Sequence, residues 1–349
     1  MFEVTTTRHN PLIDPHLAVW TWELPLYLFL GGVVAGMMVL GGMAMLRLAR
    51  GEDGKTFFSM QTPLLGFMLL NIGMLALFLD LAHRWYVWRV YITFQLTSPM
   101  SWGSWLLIIV YGVLMASALV RLPDTWPWLA RTVPVLHKLS DAIVTRPSWL
   151  RALAWANIGL GIGLGVYTGI LLNTMVARPL WNSAILGPLF LFSGLSAGAA
   201  LMHLASVLLP AGPTRQGMVG GAFASMLQPL GPQRPGPQTA DGLIRADQLF
   251  LAIELVLIAL LVLNLHTSSA SHAAAASLIM TGPYALPFWG VVVLGLVLPI
   301  GWQALALSHK VAHTVVPALL VLVGGYTLRW VMVYAGQLSE VIPIANLSP

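Results

Sequence analysis

The stretch LPLYLFLGGVVAGMMVLGGMAML, Leu24 to Leu46, decides the fold: it carries no charged side chain and almost nothing polar. A helix rises about 1.5 Å per residue, so roughly 20 apolar residues cross the ~30 Å hydrocarbon core of a bilayer, where a helix satisfies its own backbone. Extended to Leu48, this run is the first of a series. The others are Thr62 to Ala82, Ser101 to Arg121, Leu150 to Asn173, Ala184 to Leu209, Asp247 to His266, Tyr284 to Ala306 and Val311 to Ala335. The reading is an all-α integral membrane protein of eight transmembrane helices.

Composition points the same way. Hydrophobic residues make up 58% of the chain and charged residues 8%, against about 25% charged in ordinary soluble proteins. A water-facing surface cannot be built from so few charges. With no cysteine, the protein can form no thiolate-bound iron–sulfur cluster, no thioether haem attachment and no disulfide. A net charge of +5 would suit nucleic acid, but the Lys and Arg residues lie between apolar runs and form no basic stripe. The expected partner is the lipid bilayer, not nucleic acid. No short apolar core with a cleavage site precedes the first run, so no cleaved signal peptide is expected.

The placement of charge orients the bundle. Of the 17 Lys and Arg residues, Arg8, Arg84, Arg89, Arg178 and Arg329 are assigned to the termini and even-numbered loops, and all others to the odd-numbered loops. By the positive-inside rule the odd loops are cytoplasmic and both termini periplasmic, in the inner membrane of a bacterium or archaeon. The expected organisation is a periplasmic segment 1–23, a first four-helix bundle 24–173, a second 174–335 and a periplasmic tail 336–349. A Pro- and Gly-rich cytoplasmic loop, 210–246, interrupts the second bundle. Trp126, Trp128 and Trp149 among basic residues suit a segment at the lipid interface.

An internal echo supports two bundles. Aligning Gly36 with Gly198 sets LGGVVAG (Leu30 to Gly36) on FSGLSAG (Phe192 to Gly198), so the first helix corresponds to the fifth. Small-residue spacing of this kind permits close helix contact, and is common enough in membranes to arise without duplication. The glycines from Gly159 to Gly169 are expected to serve close packing.

Ionisable groups in a membrane are costly and are usually paired, hydrated or functional. Glu23, Asp80, His83, Arg84 and Arg178 all fall near the outward face, among Trp20, Trp22, Trp85, Trp88, Trp102, Trp105 and Trp181. A quinone site needs an apolar slot and polar groups that bond its oxygens and exchange protons. Carboxylates, a histidine and arginines beside aromatic rings supply that combination. Ion pairs fastening helix ends, Asp80 with Arg84 or Glu23 with Arg178, explain the same residues without a ligand. Near the cytoplasmic face, His203 and Glu254 suggest a proton route, and a paired structural group is the other reading of Glu254. Haem b is a weaker alternative there: it needs neutral histidines facing each other at matching depth, which His203 and His313 barely satisfy, and no second His pair is present.

Three stretches resemble one family, the NrfD-like polysulfide reductase membrane subunits. They are WTWELPLYLFLGGVVAGM (Trp20 to Met37), LDLAHRW with TSPMSWGSW (Leu79 to Trp105), and YTGILLNTMVARPLWNSAILGPLFLFSGLSAGAAL (Tyr167 to Leu201). The resemblance implies a quinone-reactive anchor with no haem or iron–sulfur cluster of its own, binding menaquinone or ubiquinone. It also implies an iron–sulfur, ferredoxin-like partner subunit and a molybdopterin or other redox catalytic subunit. The implied quinone pocket maps onto Trp20, Glu23, Asp80, His83, Tyr167, Arg178 and Trp181. Glu23, Asp80 and His83 would handle protons, Arg178 and Tyr167 would bond the quinone oxygens, and Trp20 and Trp181 would wall the ring. A secondary transporter or proton channel, with helices broken near Pro188 and Pro299, and a purely structural anchor are the rival readings.

Overall fold

The computed structural model describes residues 19–51, 62–125, 133–208, 237–308 and 314–341. Most of the N-terminal segment, Trp126, Trp128, the Pro/Gly-rich stretch as far as 236, His313 and most of the C-terminal tail lie outside the described residues. Among the described residues there is no strand, and eight helices are long and apolar enough to cross a membrane. They are α1 (Glu23–Ala49), α2 (Thr62–Asp80), α3 (Pro99–Thr125), α4 (Pro147–Asn173), α5 (Leu186–Leu208), α6 (Pro237–Ser268), α7 (Ala285–Leu307) and α8 (Val316–Leu338). Short helices at Trp88–Ile92, Pro134–Val144 and Ala270–Met280 lie in the connections.

Local chemistry sets the ends of these helices. Glu23 opens α1 and Arg47 closes it, each complementing the helix dipole. Proline occupies the first turn of α4 and α8, where its missing N–H costs no hydrogen bond. Pro237 likewise begins α6, which therefore starts inside the stretch expected to be loop through 246. Leu243 and Ile244, buried in the packing, supply the reason. Helix α8 runs on to Leu338, so Gln337, assigned to the tail by the sequence, belongs to its last turn.

Arg329 needs a larger correction. Counted among outer-loop charges, it lies inside α8 with no solvent exposure at all. It therefore drops out of the topology count, and the charge asymmetry between the two sides increases.

Helix α1 is the hub of the packing, touching α2, α4, α5 and α8. Around it, α2 meets α3 and α3 meets α4; α5 meets α6 and α8, and α7 lies against α6 and α8. The echoed stretches pack on one another. A β-carbon at Gly36 would overlap the Gly194 carbonyl, and one at Gly198 would sit 2.8 Å from the Gly36 backbone. Backbone-to-backbone approach of this kind needs glycine on both helices. On α4, Gly161 abuts the Ala35 carbonyl and Gly169 the Leu186 carbonyl, so these two members of the glycine run do serve close packing.

Pro188 falls in the first turn of α5 and leaves it unbroken. In α7 the backbone widens to a π-helix over Val291–Val297, just before Pro299, and resumes as α-helix. At that widening Gly295 lies against Gly324 of α8. Neither proline unwinds its helix into paired half-helices.

Candidate functional site

The entry of α1 and the last turn of α8 meet at one end of the bundle. Trp20 N–H donates to the Gln337 side-chain oxygen at 2.9 Å, and the Gln337 amide donates back to the Trp20 carbonyl at 3.0 Å. This reciprocal pair ties the entry of α1 to the last turn of α8. Arg178, just after α4, donates to the carbonyls of Gln337 (2.8 Å) and Ser339 (3.0 Å). A cation on the closing carbonyls of a helix satisfies groups that have no partner within it.

Trp181 reinforces the same joint. It is fully enclosed, donates its indole N–H to the Met332 carbonyl at 2.7 Å and lies 5.4 Å from the Trp20 ring. A β-carbon at Gly336 would overlap this indole, so the glycine is what admits it. Arg178 and Trp181 thus hold α8 against the turn after α4, while Trp20 stays partly open.

Glu23 and Asp80 are brought together. Glu23 is half-buried at the start of α1 and accepts a bond from the Thr21 hydroxyl. Asp80, half-buried at the end of α2, lies within electrostatic reach of it. Arg84 donates to the Leu79 carbonyl at 2.6 Å, closing the end of α2. His83 is exposed and shares with Asp80, Trp85 and Tyr86 an open hollow of about 360 Å³.

One turn below Glu23, Tyr27 is buried against Gly73 of α2. The phenols of Tyr91, Tyr111 and Tyr167 lie within electrostatic reach of it. Burial pushes the Tyr91 phenol upward, which keeps it a neutral hydrogen-bond donor. Tyr167 leans on Gly103, where a β-carbon would overlap its ring. That contact joins the SPMSWGSW and YTG blocks. The serines of the first block have their own structural work: Ser101 accepts from Gln95 N–H at 2.9 Å and donates to the Thr93 carbonyl at 3.3 Å, and Ser104 donates to the Val90 carbonyl at 3.2 Å. They pin the Trp88–Ile92 connection over the start of α3.

A second polar cluster lies deeper, away from the termini. Arg329 donates to the Ser193 hydroxyl at 2.6 Å and to the carbonyls of Gly325 (2.9 Å) and Phe190 (3.2 Å). Glu254, buried on α6, accepts from Ser196 at 3.2 Å and lies close to Ser193 and within electrostatic reach of Arg329. His203 lies two turns along α5 from Ser196, beside Asp247 of α6. Sequence reasoning picked out Glu254 but not its partner Arg329, nor Tyr27, Asp247 or Gln337. An arginine within an apolar run was the available signal for Arg329.

Three relatives resemble the protein. The C subunit of polysulfide reductase from Wolinella succinogenes is 28% identical over 91% of this sequence and 94% of its own length. Protein NrfD homolog of Haemophilus influenzae is 25% identical over 94% and 97%. Protein NrfD of Escherichia coli is 30% identical over 54% and 60%. Residues 11–216 match the family described as Polysulphide reductase, NrfD, and residues 218–343 match a second description, Polysulfide reductase. Since the first match holds all three motif blocks, the chain is a multi-pass membrane protein that belongs to the NrfD polysulphide reductase family.

Proposed function

We propose that this chain is the quinone- or quinol-binding membrane subunit of a multisubunit respiratory oxidoreductase, with its site at the terminal end of α1 to α4. The observation that carries the reading is that Asp80, within electrostatic reach of Glu23 and near a group of phenols, lines an open hollow together with His83, Trp85 and Tyr86. Carboxylates take up and release protons, phenols donate hydrogen bonds to oxygen, and Trp20, Trp85 and Tyr86 offer flat apolar walls. These residue types fit a quinone ring. Bound there, the quinone supplies two-electron, two-proton chemistry.

The protein's own part is then positional and acid–base. Asp80 is the first proton acceptor, since it lines the hollow and has the Glu23 carboxylate as its neighbour. His83, on the exposed rim, passes the proton to water. Tyr167 bonds a ring oxygen. Arg178 and Trp181 act from behind, by holding Trp20 and the end of α8 in place.

Electrons pass to or from a ferredoxin-like iron–sulfur subunit and onward to a molybdopterin or other redox catalytic subunit. The likeness to the C subunit of polysulfide reductase supports membership of such an assembly. In this reading α1 to α4 and α5 to α8 are two four-helix bundles, with the termini in the periplasm and the protein in the inner membrane. To test the site, Glu23→Gln, Asp80→Asn and Tyr167→Phe are introduced singly into the assembled complex and quinone-coupled turnover is measured. Asp80→Asn is expected to lower kcat about a hundredfold, the lower range for a positioned proton-transfer group. Unchanged quinone kinetics in all three would sink the assignment.

A further inference from the structure

Between α3 and α4 the chain forms a helix, Pro134–Val144, whose sides differ in chemistry. It packs on both spans. Ser140 is buried and donates its hydroxyl to the Val120 carbonyl at 2.9 Å, and Ile143 beside it is half-buried. Val135, Leu139 and Ala142, spaced four and three residues apart, form the next stripe around the helix. They are exposed, Val135 by 71% and Leu139 by 44%. His137, Lys138 and Asp141 make the remaining side, where Asp141 lies 3.3 Å from the His137 ring. The described residues thus cover one part of an apolar arc and leave the rest exposed.

The bonds of this helix fix its depth. Val120, which the Ser140 hydroxyl grips, is the last residue of the apolar part of α3. At the start of α4, Leu150 is buried and Trp149 exposed. The helix therefore lies level with the points where α3 leaves the hydrocarbon and α4 enters it, the depth at which tryptophan is enriched. An exposed stripe of Val, Leu and Ala at that depth meets acyl chains, whereas in water it would forfeit its burial.

The charge of the connection completes the match. From Val133 to Arg151 there are three cations, Lys138, Arg146 and Arg151, against the one carboxylate of Asp141. All three cations are exposed. Lys138 stands three residues from Val135 and four from Ala142, at the edge of the stripe, so its alkyl stem can follow the apolar surface while the ammonium reaches the headgroups. Arg146 occupies the corner between this helix and α4, and Arg151 follows one turn into α4. A soluble acidic partner would answer the cations and leave the stripe unanswered. A neutral lipid would answer the stripe alone.

We propose that the helix Pro134–Val144 is a binding site for anionic phospholipid: Val135, Leu139 and Ala142 lie among the acyl chains at the leaflet surface, and Lys138, Arg146 and Arg151 hold the headgroup phosphates. The inference rests on the membrane setting and not on the quinone reading.

The sequence contains no cysteine, so single cysteines carry the first test. Val135→Cys, Leu139→Cys, Ala142→Cys, His137→Cys and Asp141→Cys are spin-labelled in the full-length protein, one copy per nanodisc of mixed phosphatidylglycerol and phosphatidylcholine. Oxygen, which concentrates in hydrocarbon, is expected to reach the first three labels, and a water-soluble nickel complex the last two. Nickel access at all five means that the stripe faces water, and overturns the proposal. Shielding of the first three labels from both reagents means that protein covers the stripe, and overturns it as well.

The second test reads the headgroup. A bimane on Ala142→Cys is quenched by brominated phosphatidylglycerol or by brominated phosphatidylcholine at equal content. Quenching by the anionic lipid is expected to be the stronger. Lys138→Gln should lower its apparent association about fivefold, the worth of one cation near an anionic surface, and high salt should lower it too. Equal quenching by the two lipids in the parent overturns the anionic assignment, and a preference that survives Lys138→Gln, Arg146→Gln and Arg151→Gln together overturns the role of these side chains. Neither readout needs quinone or partner subunits, so failure of quinone turnover reports on the proposed function alone.

Discussion

A single buried arginine shows how much one residue can demand of its surroundings. Arg329 has no solvent exposure, yet it bonds Ser193, Gly325 and Phe190 and lies within electrostatic reach of Glu254. Removing one member of a buried charge pair leaves the other uncompensated, at a cost of about 3–5 kcal/mol. Glu254→Gln should therefore lower the thermal stability of the purified protein sharply, and so should Arg329→Met. The double variant should cost less than the sum of the two, measured as a double-mutant cycle. Gly103 makes a different demand. Alanine there overlaps the Tyr167 ring, and such overpacking costs about 1–3 kcal/mol. Gly103→Ala is expected to lower both melting temperature and quinone turnover, whereas Gly112→Ala on the same helix, with open space around it, should change neither.

Helices in this protein are apolar on nearly every side, so their pairing is decided by where backbones can approach. The α1–α5 contact uses Gly32, Gly36, Gly194 and Gly198. A valine at Gly36 or Gly198 forces the two helices apart. Either substitution is expected to abolish recovery of folded protein in mild detergent, read as loss of the monodisperse peak. At the other joint, Arg178→Ala removes two bonds to the final carbonyls of α8. Bonds from a charged donor are worth about 1.5–3 kcal/mol each, so the last turn of α8 should fray. Faster amide hydrogen exchange around residues 335–339 checks this, and Arg178→Lys, whose ammonium is more strongly hydrated than a guanidinium, should recover it only in part.

At the level of the whole molecule, sidedness is the quantity to measure. The sequence contains no cysteine, so single cysteines report cleanly. Cysteine placed at Val341, next to the meeting of the termini, is expected to react with a membrane-impermeant maleimide from the periplasmic side. Cysteine at Lys138, in the helix Pro134–Val144, is expected to react only after the cytoplasmic side is opened. The reverse pattern would invert the orientation.

The spans were legible because lipid imposes a length and a composition on each segment, and those are one-dimensional properties. All eight runs in the sequence became helices, with ends shifted by a few residues except at α6, where Pro237 restarts the helix early. The outer-end residues were legible as a set, because few polar side chains occur there. Their division of labour was not. Whether Arg178 and Trp181 turn toward a ligand or toward α8, and whether Arg329 belongs to a loop or a buried network, depend on contacts between segments far apart in sequence. Apolar periodicity carries no signal for such contacts when every face is apolar. The tertiary structure decided them, because a buried polar group in a membrane must be answered by whichever donor or acceptor the packing brings within about 3 Å.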